Sequence, residues 1–312
     1  MIVEFCQSIT VMFKFLFLLK TLFSSSKLLF MLDNILRRFI LKLKVLVDNN
    51  TYIDQYYFGE PAVSYYIEDG DTKILFDTGY SDLYIQNARK LNVSLKDIST
   101  IVISHGHNDH TGGLAYLKES DAFDLDQLKI LAHPNTFARK MIDHLEIGSP
   151  VTKDELQSFL DLELSKKPVK ISPHLIYLGE IPRVHAFENT EPIGKCECGV
   201  HPLEDDYLMD DTALVYQTSK GLYIITGCSH SGICNIIEHA KKVCDCNTIL
   251  GVIGGFHLFE PSPRVDHTID YFKRNQIKEL YPCHCVSLNV KAAMYQELPI
   301  YEVGVGLEIN WS

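Results

Sequence analysis

The stretch IVISHGHNDHTGGL, residues 101–114, places three histidines and one aspartate within six consecutive positions. The residues before them, 101–104, are mostly β-branched and apolar, which predicts a short buried strand that ends where the histidines begin. Imidazole nitrogen and carboxylate oxygen are both good zinc ligands at neutral pH. A solvated, histidine-rich turn is the plainer interpretation, but four ligand-type side chains directly after a buried strand favour a metal site.

The polar cluster offers ligands for two ions. His105 and His107 alternate along one loop, so both rings can converge on the same ion. Asp109 and His110 open the predicted helix that follows and can face a second ion a few ångströms away, which is the spacing that two-metal hydrolysis requires. Gly106 lets the backbone turn between the first two histidines without steric conflict.

The composition is that of an ordinary globular protein of 312 residues, with 46% hydrophobic and 22% charged residues. A formal net charge of −11 without a long basic stripe argues against nucleic acid as a main partner. Six of the nine cysteines form closely spaced Cys-x-Cys pairs, which are Cys196/Cys198, Cys244/Cys246 and Cys283/Cys285. This spacing is unlike a secreted disulfide framework or a Cys₄ zinc site, so we expect ordinary thiols in a cytoplasmic protein.

Residues 1–40 differ from the rest of the chain because they are apolar and carry mostly basic charges. Lys14, Lys20 and Lys27 interrupt each apolar run before it reaches about 18 residues, so no stable membrane span is expected. A signal peptide is also disfavoured, since no clear small-residue cleavage site follows the apolar part. An amphipathic surface helix is one alternative, and upstream sequence attached to a chain that begins at Met31 is the interpretation we prefer. We therefore expect residues 1–40 to be an extension outside the fold and residues 41–312 to form one domain.

From Leu41 onward the pattern predicts antiparallel strands first, and then strands that alternate with helices. LKLKVLVD alternates apolar and polar residues, and AVSYYIE with KILFDTG predicts a hairpin. Ser81 is the expected N-cap of a helix through SDLYIQNARKL. Further strands are predicted at KILAH, HLIYLGE, TALVYQTS, GLYIITG, TILGVIG and KELYP, and helices at 153–165, 232–243, 266–275 and 288–297. This order predicts sheets at the centre of the molecule and helices outside.

Five motifs together carry a resemblance to a known family. They are SHGHNDHTGG (104–113), LFDTGY (75–80), TGCSHSGICN (226–235), VIGGFHL (252–258) and PCHCVS (282–287). These motifs resemble the metallo-β-lactamase fold superfamily of metal-dependent hydrolases, in the branch labelled 7,8-dihydropterin-6-methyl-4-(β-D-ribofuranosyl)-aminobenzene-5′-phosphate synthase-like. The resemblance runs from about Lys42 to the end of the chain. It implies an α+β fold, a four-layer αββα sandwich with the metal loop at one edge of the two sheets.

The resemblance also implies roles for residues outside the histidine cluster. The first motif matches the family signature fully, at His105, His107, Asp109 and His110. Asp77 matches an upstream aspartate that supports the metal loop without ligating, and His284 matches the last histidine, a ligand of the second ion.

The middle of the chain departs from the superfamily pattern. Cys228 stands where many members have a bridging aspartate, and thiolate is a legitimate zinc ligand. His230 is our first choice for the remaining ligand and Cys228 the second. The alternative for Cys228, with equal weight, is a small buried residue without a ligand role. His257 follows two glycines and is expected to face the substrate or to cap a turn.

The function predicted from these features is that of a dinuclear metal-dependent hydrolase or group-transfer enzyme acting on a phosphate-containing small molecule through a metal-activated water. Asp109 would orient the water and His257 would lie on the substrate side. Two divalent ions are expected, with zinc favoured over manganese or iron. A non-catalytic metal-binding sensor or interaction module on the same fold is the alternative, and the oligomeric state is left open.

Overall fold

The computed structural model describes residues 40–188, 191–199 and 202–312. The predicted extension at residues 1–40 therefore lies outside the described residues, apart from Ile40, and its role stays a prediction. Among the described helices, none is long and apolar enough to cross a membrane.

Strands and helices alternate along the described chain. The first eight strands are β1 (Leu41–Val47), β2 (Ser64–Asp69), β3 (Thr72–Phe76), β4 (Thr100–Val102), β5 (Lys129–Ala132), β6 (Lys140–Ile142), β7 (Leu145–Glu146) and β8 (Asp161–Leu164). The remaining strands are β9 (Val169–Lys170), β10 (Leu175–Tyr177), β11 (Lys195–Cys196), β12 (Glu204–Asp205), β13 (Ala213–Gln217), β14 (Leu222–Thr226), β15 (Ile249–Gly254), β16 (Glu279–Pro282) and β17 (Glu308–Trp311). The helices are α1 (Leu83–Lys90), α2 (Asn108–Thr111), α3 (Lys153–Gln157), α4 (Ile233–Cys244), α5 (Pro263–Arg274) and α6 (Leu288–Tyr295), with a 3₁₀ turn at Gly112–Tyr116.

The strands form two large sheets and one small one. The first sheet has the order β17-β1-β2-β3-β4-β5-β8, and the second has the order β16-β15-β14-β13-β10-β9. The four short strands β12-β11-β6-β7 form the small sheet. Strands β3, β4, β5 and β8 run parallel in the first sheet, as do β14, β15 and β16 in the second. The carboxyl ends of parallel strands meet at one edge of each sheet, and this is where polar side chains gather.

The two large sheets pack face to face around a shared apolar core. Leu43 and Tyr65 of the first sheet meet Tyr216 and Tyr223 of the second within one cluster of buried side chains. The ring of Tyr223 stacks on that of Trp311, with centroids 4.4 Å apart, which joins the second sheet to the edge strand of the first. Aromatic side chains of this size each bury roughly 150–250 Å², so they account for much of the apolar area between the sheets.

Helices cover the outer faces of both sheets. Tyr84 and Ile85 of α1 pack on the outer face of the first sheet, while Ile237 of α4 and Phe272 of α5 pack on the second. The order of layers is therefore helix, sheet, sheet, helix. The predicted α+β class and four-layer αββα sandwich are confirmed.

Local patterning explains which strand predictions were correct. In β1 the apolar residues Leu41, Leu43 and Val45 are buried, and the lysines between them are partly exposed. The predicted hairpin forms between β2 and β3, and Gly70 adopts φ +60° in its turn, a value that glycine reaches without strain.

Two helix predictions were wrong at their boundaries. The helix expected at 153–165 ends at Gln157, and residues 161–164 instead form β8, parallel to β5. Thr152 and Glu155 form a capping box that starts this helix, but burial of β8 against its neighbour overrides helix propensity beyond it. The N-cap of α1 is Asp82 rather than Ser81, whose hydroxyl instead accepts a hydrogen bond from the Leu83 amide at 3.2 Å.

Candidate metal centre

The metal loop, which we define as residues 104–110, leaves the end of β4 and enters α2. His107 is the N-cap of α2 in an extended conformation, and the Asn108 amide donates to the Ile147 carbonyl at 2.8 Å. A Cβ at Gly106 would lie 2.1 Å from the Thr136 carbonyl oxygen, so only glycine fits at that position. The Gly106 amide donates to Oδ2 of Asp210 at 2.8 Å. The loop is therefore held from outside by the chain around β6 and β13.

Three imidazole rings form the first group of candidate ligands. Nε2 of His105 lies 3.1 Å from Nδ1 of His107. The ring of His230 lies 4.6 Å from that of His105 and 4.9 Å from that of His107, measured between centroids. All three side chains are almost entirely buried. The metal loop and the end of β14 thus bring three rings together at one point.

The second group combines a carboxylate, two imidazoles and a thiol. Oδ2 of Asp109 lies 3.6 Å from Nε2 of His110 and 3.2 Å from Nε2 of His284. Sγ of Cys228 lies 3.2 Å from Nε2 of His110. The ligand atoms of these four residues all lie within 4.8 Å of one another, which is close enough to surround a single ion.

Cys228 links the two groups. Its sulfur is within 4.8 Å of ligand atoms of His105 and His230, and equally of those in the second group. The chain does not stay extended after β14, because Ser229 adopts φ 58°. Both Cys228 and His230 nevertheless place ligand atoms within 4.8 Å of one another, together with His105.

Ring nitrogens of the first group are buried without hydrogen-bond partners, as expected of atoms that bind a metal. Nε2 of His107 and both ring nitrogens of His230 are buried and have no hydrogen-bond partner in the described part of the chain. A buried polar group left in this way costs about 1–3 kcal/mol unless something binds it. Burial lowers the pKa of His105 and His230 well below the ordinary imidazole value, and that of His107 to about 4. All three rings are neutral at pH 7, which is the form that binds metal.

The second group has the charge balance of a cation site. Burial acts to raise the pKa of Asp109, but His110 and His284 outweigh it and hold that pKa below its usual range. Burial acts to lower the pKa of His110, but Asp109 and Asp77 raise it to about 9. Burial raises the pKa of the Cys228 thiol well above its ordinary value, and the neighbouring Cys285 adds to this effect. A proton on His110 therefore supplies the positive charge that a bound cation would bring.

Asp77 is buried next to the metal loop and contacts three of its polar atoms. Its Oδ1 accepts from the Ser104 amide at 2.7 Å, and its Oδ2 lies 2.7 Å from Nδ1 of His110. The Ser104 hydroxyl donates to the same Oδ2 at 2.7 Å and lies 3.0 Å from Nδ1 of His105. These contacts orient two rings of the metal loop and leave the Nε2 of His110 directed at the centre.

His257 lies beside the first group rather than in it. Its ring centroid is 4.4 Å from that of His230 and 4.6 Å from that of Phe259, whose side chain is half exposed. Burial, followed by the positive charge of Arg264, lowers the pKa of His257 to about 4. His257 is therefore a neutral ring between the buried centre and the surface.

Four residues at strand ends adopt left-handed backbone conformations. Asp77 has φ 59°, Ser229 φ 58°, His257 φ 49° and His284 φ 50°. Each follows the carboxyl end of a parallel strand, namely β3, β14, β15 and β16. Non-glycine residues rarely adopt such values, and strained positions of this kind concentrate at functional sites.

Four buried charged residues beside the loop were not identified from the sequence. Lys140 is fully buried and its Nζ donates to Asp206 at 2.7 Å and to Asp210 at 2.9 Å. Asp206, Asp210 and Asp211 are buried as well. A lysine gives no sequence signal for such burial, because lysines are almost always exposed.

The cysteine predictions need one correction. Cys196 and Cys198, expected to be ordinary thiols, are joined by a disulfide, since the fold brings their Cα atoms to 5.3 Å, within the range for such a bond. Cys285 is a free thiol, and its sulfur lies 3.7 Å from the Cys228 carbonyl oxygen. Its own burial acts to raise its pKa, but contacts with Cys228 and His284 lower that pKa to about 7.

One histidine outside the centre is also buried. His133 is fully buried, and its Nε2 lies 3.2 Å from Oε2 of Glu180. It lies outside both groups of candidate ligands.

The fold is that of the metallo-β-lactamase superfamily, and this chain belongs to that superfamily. The family model described as "Metallo-beta-lactamase superfamily" matches residues 57–125, which include the metal loop.

Two relatives from Methanocaldococcus jannaschii cover most of the chain. One is an uncharacterized protein that is 35% identical over 256 residues, which make up 81% of this chain and 94% of the relative. The other is named 7,8-dihydropterin-6-methyl-4-(beta-D-ribofuranosyl)-aminobenzene-5′-phosphate synthase, and is 31% identical over 288 residues, 86% of this chain and 95% of the relative.

Solved structures agree with the fold. A structure described as Tm1679, a metal-dependent hydrolase of the β-lactamase superfamily, has a TM-score of 0.73 and 27% identity, over 86% of this chain and 98% of that one. The metallo-β-lactamase fold protein YhfI from Bacillus subtilis has a TM-score of 0.56 at 12% identity, over 87% of this chain and 99% of that one, and so supports the fold alone.

Proposed function

We propose that this protein is a dinuclear metal-dependent enzyme that hydrolyses a phosphate-containing small molecule or transfers a group of it. The observation that carries the proposal is the position of Cys228, whose sulfur lies within 4.8 Å of ligand atoms of both groups. These are His105 and His230 of the first group, and Asp109, His110 and His284 of the second. The synthase relative supports a phosphate-containing substrate, because its name includes a 5′-phosphate. The metal-dependent hydrolase among the solved structures supports the same reaction class.

The two groups divide the predicted ligands between two ions. His105, His107 and His230 would hold one ion, and Asp109, His110 and His284 would hold the other. Cys228 would lie between them, in the position where a carboxylate bridges many superfamily sites. Imidazole and thiolate together favour zinc over the harder ions, which prefer oxygen ligands. Zinc is therefore the ion we expect, with manganese or iron as the alternatives to be measured.

Two divalent ions, when bound, supply an activated water at neutral pH and polarise an oxygen of the substrate. The carboxylate of Asp109 stays ionised, because His110 and His284 lower its pKa, and it can accept a hydrogen bond from that water. His230 and the other buried rings exclude bulk solvent from the same place.

His257 has the properties of a group on the substrate side. It is neutral at pH 7, because burial and Arg264 lower its pKa to about 4, so it can either donate or accept a hydrogen bond. Its position between His230 and the half-exposed Phe259 places it where a ligand entering from the surface would pass. We assign it to positioning the substrate.

Elemental analysis and a substrate screen test the proposal together. The purified protein is expected to hold close to two equivalents of metal and to turn over at least one member of a panel of phosphoesters and phosphoryl-transfer substrates. His107→Ala should lower the metal content and reduce turnover by more than about 100-fold, which is the upper end of the effect of residues that only support ligands. His144→Ala is the matched control, since His144 is exposed and outside both groups.

Unchanged metal content in the His107→Ala protein would refute the site. Two bound metals without turnover of any phosphate compound would leave a metal-binding module and refute the enzyme. The cytoplasmic location expected from the cysteine spacing stays a prediction.

A further inference from the structure

One of the three Cys-x-Cys pairs differs from the other two. Cys196 and Cys198 are joined by a disulfide, with only Glu197 between them. The thiols of the other two pairs, Cys244/Cys246 and Cys283/Cys285, are free. The same spacing therefore gives a bond in one place and free thiols in two, so the surroundings of Cys196 and Cys198 decide the outcome.

This disulfide is poorly suited to stabilise the fold. The stabilisation that a disulfide gives by restricting the unfolded chain grows with the length of the loop that it closes. Here the bonded residues are two positions apart, so the loop is nearly as short as it can be. A bond that contributes little to stability, in a chain whose other described cysteines are free, calls for a different role.

The bond is accessible to a small reductant. Cys196 is buried, but Cys198 is only partly so, and both residues line a surface cavity of about 340 Å³. Asp206 and Tyr207 form part of the same cavity wall. A dithiol of low molecular weight can therefore reach the Cys198 side of the bond.

The pair is connected directly to the metal loop. Cys196 lies in β11, paired in register with Lys140 of β6. The ammonium group of Lys140 holds Asp206 at 2.7 Å and Asp210 at 2.9 Å. Asp210 in turn accepts the hydrogen bond from the Gly106 amide, between His105 and His107, at 2.8 Å. Three consecutive contacts thus lead from the disulfide to the metal loop.

The small sheet provides a second connection to the same loop. Gly148, which follows β7, forms a bridge with His107. The Glu197 amide, between the two cysteines, donates to the Arg139 carbonyl at 2.9 Å. A change in β11 therefore reaches the loop through β6 and β7 as well as through Lys140.

A second metal site at these cysteines is disfavoured. Asp206 lies within 4.8 Å of both sulfurs and would be the third ligand. Its Oδ2 already accepts from Lys140 and its Oδ1 accepts from the Leu208 amide at 2.8 Å. Both carboxylate oxygens are therefore committed to holding the chain in place.

We propose that Cys196 and Cys198 form a reversible thiol–disulfide site, and that its oxidation state controls how tightly the metal loop binds metal. The second half of this proposal rests on the proposed function. In the reduction, a thiolate of a dithiol reductant attacks one sulfur, the Cys196–Cys198 bond breaks, and a mixed disulfide forms. The second thiol of the reductant then resolves it. The reductant leaves as a disulfide, and the protein gains two electrons and two protons as two thiols.

Reduction should loosen the small sheet next to the loop. Two thiols need more room than a bonded pair, because the covalent bond holds the sulfurs closer than van der Waals contact allows. The sulfurs must therefore separate beside the pair that Lys140 forms with Asp206. This displaces β11 relative to β6 and weakens the hold of Asp210 on Gly106.

The experiment compares the full chain in buffers of oxidised and reduced dithiothreitol. Alkylation with iodoacetamide and peptide mass mapping report the state of each cysteine, and competition with a chelator reports zinc affinity. Cys196 and Cys198 should be alkylated only after reduction, and zinc affinity should fall about tenfold, within the range for groups that support ligands. The Cys196→Ser/Cys198→Ser protein should hold the weaker affinity in both buffers. The Cys244→Ser/Cys246→Ser protein should respond as the natural sequence does.

Each result has a definite meaning. Alkylation of both residues in the oxidising buffer would overturn the redox site. Reversible bonding with unchanged zinc affinity would overturn the coupling and leave the proposed function intact. A protein that binds no zinc in either buffer would refute the proposed function and with it the coupling, while the alkylation pattern still decides the redox site. An additional zinc equivalent present only after reduction, and lost in Cys196→Ser/Cys198→Ser, would make the pair a metal site instead.

Discussion

The centre is built from two regions that supply their side chains in different ways. The metal loop contributes His105, His107, Asp109 and His110 from one continuous stretch after β4. The second sheet contributes its side chains from three separate strand ends, which follow β14, β15 and β16. The loop determines the spacing of its own ligands through local backbone geometry, whereas the second sheet determines it through the packing of one sheet on the other.

The positions of the ligands are therefore set by local backbone geometry in the loop and by tertiary contacts in the second sheet. The conformation of the loop depends on the close backbone approach at Gly106 and on the hydrogen bond that Asp77 accepts. Because its ligands follow one another on one short segment, a displacement of the segment displaces them all. The strand ends of the second sheet each need a left-handed residue, at Ser229, His257 and His284. A disturbance in the second sheet should therefore affect one ligand at a time, while a disturbance of the loop should affect both ions.

The largest effect is expected from the two side chains that follow β14. His230→Ala should remove one ligand of the first group and lower metal content towards one equivalent, with a corresponding loss of activity. Cys228→Ser should retain more metal but shift the preference away from zinc, because a hydroxyl is a poorer zinc ligand than a thiolate. Elemental analysis after dialysis against mixed metals measures both effects.

The reverse result would change the assignment. A Cys228→Ser protein that loses one metal entirely, beside a His230→Ala protein that keeps both, would make Cys228 the ligand. His230 would then be a residue that faces the substrate together with His257.

The next largest effect is expected from Asp77, which contacts the metal loop on the side away from the candidate ligands. Asp77→Asn keeps the shape of the side chain but removes the charge that orients His110, and should weaken metal binding about 10–100-fold. The control is Asp143→Asn, because Asp143 is exposed and has the same left-handed backbone, with φ 53°. If the two variants lose metal affinity equally, metal binding depends on the backbone conformation at Asp77 and not on the contacts of its side chain.

The loop was predictable from the sequence because its chemistry and its geometry are both local. His105, His107, Asp109 and His110 lie within six residues of one another, and the buried strand before them is visible as a β-branched run. The order of strands and helices was enough to predict the layers, since each element carries its own periodicity. The family resemblance added Asp77 and His284, which are too far along the chain for any local pattern to connect.

The remaining features depend on tertiary contacts and could not be predicted. The conversion of residues 161–164 into β8 follows from pairing with β5, which no local pattern reveals. The burial of Lys140 depends on two aspartates more than 60 residues later in the sequence. The bond between Cys196 and Cys198 depends on the position of β11 against β6, while identical spacing elsewhere leaves free thiols.

In the metal-free protein, the free energy of unfolding should depend on pH, and the metal loop and the second sheet should contribute equally to that dependence. Burial lowers the pKa of His107 in the loop and of His257 in the second sheet to about 4. Between pH 6.5 and 4 the unfolded chain binds protons that these folded rings exclude, so the free energy of unfolding falls as the pH falls. Each ring contributes a slope of at most about 1.4 kcal/mol per pH unit.

Variants of the two rings check this expectation. His107→Gln and His257→Gln should each make the slope shallower by a similar amount in urea titrations of metal-free protein. Asp211 acts in the opposite direction, because burial raises its pKa to about 6 and its folded carboxyl holds a proton between pH 6 and its ordinary value. Asp48, whose pKa burial also raises, acts in the same direction as Asp211. These two carboxyls oppose the four depressed imidazoles at the centre, counting His105 and His230, so the net slope keeps its sign. If only one of the two variants changes the slope of the free energy of unfolding against pH, the two regions do not contribute equally to the pH dependence.

The smallest effect should come from outside both regions. A chain that begins at Met31 is expected to keep its metal content and to change its free energy of unfolding by no more than about 0.5 kcal/mol, as for changes away from packed features. The reason is that β1 begins at Leu41, which is buried and pairs with Trp311. A chain that begins at Lys42 is the sharper comparison, since it also removes Leu41 and should lose about 1.5–3 kcal/mol from that burial. Metal analysis and urea unfolding of both proteins measure these differences. If the Met31 chain unfolds or loses metal, residues 1–30 belong to the domain, and the centre depends on a third region of the molecule.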